Sequence, residues 1–348
     1  MDSTAPTMAE AERIFASRAK ASPPAQRRAR SARLIEIISS QIDLLRKYHV
    51  AVLETEATEA VHKMRVTTRR LQASLDLLED QLNAPKLKRR LRRWRRALSL
   101  VRNYDVFLEL MEQESPSRGQ VRREQFQLVK NMLQQQRVKT AAKVRPLIER
   151  IDIDKIALTL GLQPSQTEAA DRAADEGSSL DHTQAKQTCK PAMVIDERRV
   201  VAYAADRLDQ RINEFHALVA QSHPATDPAE LHQLRIAAKR ARYLLETVSQ
   251  MGHGDASRTL RWLKTLQDRI GDWHDFEALE EEIITIVSSR EFMKEHLAES
   301  GRMLQAAAHL QKKKEVLVSK LFPIRVPQHL AIISQRIARS LRRHGQSQ

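Results

Sequence analysis

The chain has 348 residues, with 59 Lys/Arg against 44 Asp/Glu and a formal charge of +15, so it can bury a sizeable core in more than one folding unit and its surface attracts polyanions. A single cysteine, Cys189, excludes a disulfide framework within the chain, and the longest strongly apolar run, about Ile283 to Val287, is far short of the ~20 residues that span a bilayer. Met1 to Pro6 lacks both a basic n-region and an apolar h-region, so no signal peptide is expected and the protein is placed in the cytoplasm, away from membranes. Gly is scarce at 8 residues and Val/Ile/aromatic alternation is absent, which predicts an all-α fold.

Residues 1–27, rich in Ala, Ser and Pro, read as a flexible arm. The first helical half, 28–151, starts with a helix over about Ala29 to Leu53, burying Leu34, Ile37, Ile38, Ile42 and Leu45. A second helix spans about Thr58 to Leu82, with Thr58 as N-cap and Pro85 ending the run. The third, about Lys86 to Glu114, is dense in positive charge, yet Leu87, Leu91, Trp94 and Leu98 recur at helical spacing and give it one apolar face. A fourth runs from about Ser117 to Val144, where Pro146 is expected to kink or end it. Residues 152–195, punctuated by Gly161, Pro164, Gly177 and Pro191, read as a linker that holds Cys189 as an incidental thiol.

The second half, 196–343, follows the same plan. Helices are predicted over about Asp196 to Ser222, Pro228 to Gln250 (Asp227 as N-cap, Pro228 at the first helical position), Ala256 to Ser288, Glu291 to Leu321 with Gly301 weakening its middle, and His329 to Arg343. Gly252 and Gly254 stop the second of these.

The halves share a repeat. Val61, Met64, Thr68, Leu71, Leu75 and Leu78 form an apolar stripe, and Leu231, Leu234, Ala238, Ala241, Leu245 and Val248 repeat it 170 residues later. On the same flank of each stripe lies a polar row: His62, Arg65, Arg69 and Gln72, then His232, Arg235, Lys239 and Arg242. The third helices align at an offset of 172, Leu91 to Ser99 with Leu263 to Gly271, and Arg102 to Val106 with His274 to Ala278. The expected architecture is two pseudo-symmetric antiparallel helical bundles around a basic central surface.

Such rows ask for an anionic ligand. Guanidinium grips phosphate oxygens bidentately and ammonium supplies a point charge, so cations rising ~5.4 Å per turn could follow successive phosphates of a linear polymer. A lone His on a helix flank is usually structural, but here each sits one turn before an Arg and the pair recurs. A nearby polyanion favours imidazolium, so binding should strengthen as pH falls through the His range. The run Lys86 to Arg96 suits a solvated helix or a generic nucleic-acid patch as well as it suits another polyanion. Phe, Trp and Tyr make up only 4% of the chain and none interleaves the basic residues, which argues against base stacking. Glu59-x-x-His62 has the spacing of a di-iron ligand pair, but Ala229 breaks it in the second copy; no metal or cofactor is expected. His274-Asp275-x-Glu277 could meet a divalent ion, though capping or ion pairing explains it more simply. No phosphate-cradling Gly loop or nucleophilic triad is present, so no enzymatic activity is expected.

V-H-K-M-R-V-x-x-R-R-L (Val61 to Leu71), L-H-x-L-R-I-A-A-K-R-A-R-Y (Leu231 to Tyr243) and L-Q-D-x-I-G-D-W-H-D (Leu266 to Asp275) resemble the conserved histidine α-helical domain, or CHAD domain, over about residues 30 to 343. The resemblance implies an all-helical protein of two similar bundles that binds inorganic polyphosphate and is recruited to polyphosphate granules. Carried over by motif position, it implies ligand roles for His62, Arg65, Arg69, Arg70, His232, Arg235, Lys239, Arg240 and Arg242, with Arg92, Arg95, Arg102, Lys264 and His274 at less distinctive positions. Ser99 stands where the family's first copy usually has Gly, and Asn103 where it usually has Asp. General nucleic-acid binding on the same surface is the rival function, and phosphohydrolysis through His62 or His232 a weaker one.

Overall fold

The computed structural model describes residues 24–55, 57–79, 81–82, 85–114, 120–162, 196–225 and 227–346. Every regular element among them is a helix: α1 (Pro24–Thr55), α2 (Thr58–Asp76), α3 (Pro85–Gln113), α4 (Gln120–Glu149), α5 (Ile153–Thr159), α6 (Glu197–Gln221), α7 (Pro228–Gln250), α8 (Ser257–Val287), α9 (Arg290–Glu295), α10 (Leu297–Leu321) and α11 (Gln328–Gln346). The fold is all-α.

The repeat helices α2 and α7 pack against each other at the centre. Each lies between two neighbours of its own half, α1 and α3 beside α2, α6 and α8 beside α7. The match extends to single residues: positions 61–70 and 231–240 show the same sequence of buried, half-buried and exposed side chains. Apolar stripes explain the placement. Leu34, Ile38, Ile42 and Leu45 of α1, Met64, Leu71 and Leu75 of α2, and Leu234, Ala238, Ala241 and Leu245 of α7 are buried in one core that crosses from half to half. A second core, away from this centre, joins the far ends of α3 and α4 to α8, α9 and α10 through Phe107, Met111, Phe126, Leu133, Phe276, Ile283 and Leu310. The halves are therefore clamped together at two places.

An acid–base pair ties each outer hairpin. Asp105 on α3, its side chain 1% exposed, accepts from Nε of Arg137 on α4 at 2.6 Å. Its repeat counterpart Glu277 on α8 accepts from Nζ of Lys314 on α10 at 2.8 Å, and Glu280 pairs with the same ammonium. A pair so enclosed holds only while both charges remain.

Helix ends follow local chemistry where a cap is present. Asp196 accepts from the backbone N–H of Arg198 and Arg199, and Asp227 from that of Ala229, with Pro228 opening α7. Gly252 (φ +88°) and Gly254 (φ +126°) terminate it.

Elsewhere the structure departs from the sequence expectations. Thr58 is not the N-cap of α2: Ala57 holds that place without a side-chain bond, and its carbonyl accepts from Val61. That helix ends at Asp76 rather than near Leu82, and Leu77 and Leu78 enter the core from turns. Pro146 lies inside α4 without ending it. The last long hairpin breaks at His296, between α9 and α10, not at Gly301. Residues 152–162 are not linker: Asp152 caps α5, and Ile153, Ile156, Ala157 and Leu160 are buried in the main core. The arm's first 23 residues and linker residues 163–195, with Cys189, lie outside the described residues.

Candidate functional site

The polar flanks of α2 and α7 open onto one groove of about 590 Å³, walled by α2, α3, α6 and α7. Arg69 reaches it from α2, Arg92 and Arg95 from α3, and His232, Arg235, Lys239 and Arg240 from α7. Arg69 and Gln72 of the first row and His232, Arg235 and Lys239 of the second therefore face one groove, whereas His62 and Arg242 lie outside its lining. Arg65 stands just outside the lining, close enough to Arg69 and Arg235 for their charges to act on it.

The partners of these cations are mostly neutral. Arg65 donates from Nη1 to Ser99 Oγ at 3.3 Å, Arg69 from Nη1 to Tyr243 Oη at 3.5 Å, Arg95 from Nη1 to Gln72 Oε1 at 2.7 Å and Arg92 from Nε to the Lys88 carbonyl at 3.3 Å. Lys239 has no carboxylate within ion-pair distance among the described residues, and Arg235 has only Asp275 at 3.8 Å. Nε of Arg65, Arg235 and Arg242 are buried without a hydrogen-bond partner.

Crowding of like charge shows in the proton affinities. Burial, then Arg235, Arg69 and Arg65, bring the Lys239 ammonium down to about 6. Burial, then Arg69 and Arg235, bring Arg65 down to about 10. His232 is held below its ordinary value by burial, His274, Arg235 and Lys239, and His62 by burial, Arg102 and Arg65. Burial raises the Tyr243 phenol, but Arg69 and Arg242 outweigh it and leave the group below its usual value. Burial alone gives the Lys, Arg and His shifts their sign, whereas the Tyr243 shift runs against burial and needs the surrounding positive charge.

Most of the other sequence-predicted residues lie apart from the lining. Arg70 pairs with Glu246 at 2.8 Å and so ties α2 to α7. Arg102 forms a two-pronged pair with Glu109 at 2.9 and 3.3 Å beside His62. Arg242 lies over the Tyr243 ring, 4.6 Å from its centroid. Lys264 is exposed on α8 outside the groove. Arg240 lines the groove but also reaches Glu214 at 3.3 Å. His274 stacks on His232, ring centroids 5.1 Å apart, with its Nδ1 3.5 Å from Asp275. Glu59 pairs with Lys63, and among the described residues no group of three or more His, Cys, Asp or Glu is placed to hold a metal.

Sequence reasoning missed the α6 wall. Tyr203, Arg207 and Arg211 line the groove at i, i+4 and i+8, a row that the helical period could have disclosed. At that mouth Lys88 lies 3.1 Å from both Asp76 and Glu79, and Tyr203 donates to Glu79 at 2.8 Å. This end is charge-balanced, whereas the Arg69–Lys239 end is not.

The CHAD domain model matches residues 36–283. The chain belongs to the CHAD domain family. Among solved structures, the CHAD domain from the plant Ricinus communis is similar at 21% identity, covering 86% of this chain and 93% of its own, with a TM-score of 0.55. PptA from Streptomyces chartreusis is similar at 17% identity, covering 84% and 98%, with a TM-score of 0.47. The plant likeness bears out the all-helical CHAD fold. No curated protein matches the sequence. No helix among the described residues is long and apolar enough to cross a membrane.

Proposed function

We propose that this CHAD protein binds inorganic polyphosphate in the α2/α7 groove, does no chemistry on it, and is thereby brought to polyphosphate granules in the cytoplasm. One observation carries this: Arg65, Arg69, Arg95 and Lys239 converge from three helices with only neutral partners, which leaves a positive field for a ligand to neutralise. A polymer with a charge on every unit and no base to read suits a groove without free aromatic faces. Tyr243 is already flanked by Arg242 and Arg69, and Tyr203 by Arg207 at 4.8 Å. The family's association with polyphosphate agrees with this assignment.

Competition binding tests the choice between polyanions. At equal charge concentration, long-chain polyphosphate should displace DNA and RNA from the protein; displacement in the other direction would make it a nucleic-acid binder. Release of orthophosphate over hours with added divalent metal would replace binding by hydrolysis.

A further inference from the structure

Arg92 lines the groove, but α3 carries further arginines on the outside. Arg89, Arg93, Arg96 and Leu100 fall at i, i+4, i+7 and i+11 and make one exposed stripe. Arg92 lies one turn from both Arg89 and Arg96, so it stands on the lip between stripe and groove. From Arg89 to Arg96 the stripe rises ~10 Å.

These charges are uncompensated. From Lys86 to Val101 the sequence has no Asp or Glu, so each arginine has only cationic or neutral residues one turn away. None of Arg89, Arg93 and Arg96 has a carboxylate within ion-pair distance among the described residues, whereas Arg70 and Arg240, also exposed, hold Glu246 and Glu214. Like charges at this spacing destabilise a helix, and an external anion relieves that repulsion. No aromatic side chain interrupts the stripe, and Trp94 between these arginines is buried.

We propose that Arg89, Arg93 and Arg96 form an outer binding stretch for the same polyanion, receiving polyphosphate that passes over Arg92 out of the groove and so giving the protein a preference for long chains. This rests on the groove being the polyphosphate site. A short chain fills the groove alone, while a longer one fills the groove and stripe together and makes the second set of ion pairs intramolecularly.

The test is an R89Q/R93Q/R96Q variant, with R258Q/R261Q/R269Q on exposed α8 positions as a charge-matched control, and binding of tripolyphosphate and long-chain polyphosphate measured for each. Long-chain affinity should fall by at least about tenfold in the α3 variant and its salt dependence become shallower by about two to three ion equivalents, while tripolyphosphate affinity and the melting temperature stay near wild type. Equal losses for both chain lengths, a loss matched by the control variant, or no loss at all would each overturn the outer stretch. If wild type binds neither chain, the groove assignment fails first; if K239M abolishes binding of both chains while the α3 variant changes neither, the groove stands and the stripe does not.

Discussion

Lys239 should make polyphosphate binding consume a proton. Its ammonium titrates at about 6, because burial and the surrounding Arg235, Arg69 and Arg65 oppose its charge. An anion in contact reverses that balance and returns the group toward the ordinary lysine range of ~10.4. Between those limits binding takes up close to one proton, so affinity falls by up to about tenfold per pH unit, or about thirtyfold from pH 7 to 8.5. His62 and His232, both held below their ordinary value, also take up protons wherever the bound polyanion raises them, so the Lys239→Arg comparison is what assigns the slope to the amine. Calorimetry with long-chain polyphosphate in two buffers of different ionisation enthalpy reads both affinity and proton uptake. Lys239→Arg keeps a charge throughout and should flatten the profile while retaining binding at pH 8.5. A flat wild-type profile over this interval, or an unchanged slope in Lys239→Arg, would refute a lysine held uncharged by its neighbours.

The folded-state value of Lys239 lies below the unfolded one, so between about pH 6 and ~10.4 the unfolded chain binds the extra proton and stability rises with pH; Lys239→Met should weaken that rise in melting curves. Asp105→Ala removes the enclosed carboxylate that ties α3 to Nε of Arg137 on α4, and chemical denaturation should show a loss of about 1–3 kcal/mol; near-neutral behaviour would show the pair to be solvated. Arg70→Ala removes a partly exposed pair with Glu246 outside the groove lining, so stability should change by no more than about 1 kcal/mol and polyphosphate affinity should stay near wild type in a binding titration. Tyr243, below its usual value beside Arg69 and Arg242, should ionise early in an ultraviolet titration, retreat to higher pH with polyphosphate bound, and vanish from the curve in Tyr243→Phe.

The all-helical fold and the central pairing were legible because both rest on short-range regularities. Asp227 and Pro228 set the start of α7 by their own hydrogen bond and ring, and Gly252 ends it by its backbone angle. The 170-residue repeat placed α2 and α7 in equivalent surroundings, hence their matching burial. Features that depend on tertiary packing were not legible. Helix α5 has too few residues for a convincing period, and its place follows from Ile153 and Ile156 meeting α1. Arg102 and Lys264 looked equivalent to groove residues, but helix rotation gave one to Glu109 and the other to solvent. Tyr203, Arg207 and Arg211 went unread because their row faces a groove only once α6 packs against α7.

The most direct measurement is the affinity of long-chain polyphosphate for wild type and for R69Q/R235Q, which removes one groove cation from each repeat helix while sparing the apolar stripes. Without these two charge-assisted hydrogen-bond donors, binding should weaken by at least about a hundredfold, with the fold intact by circular dichroism. Affinity within a few-fold of wild type would contradict a site in which the two rows hold one polymer between them.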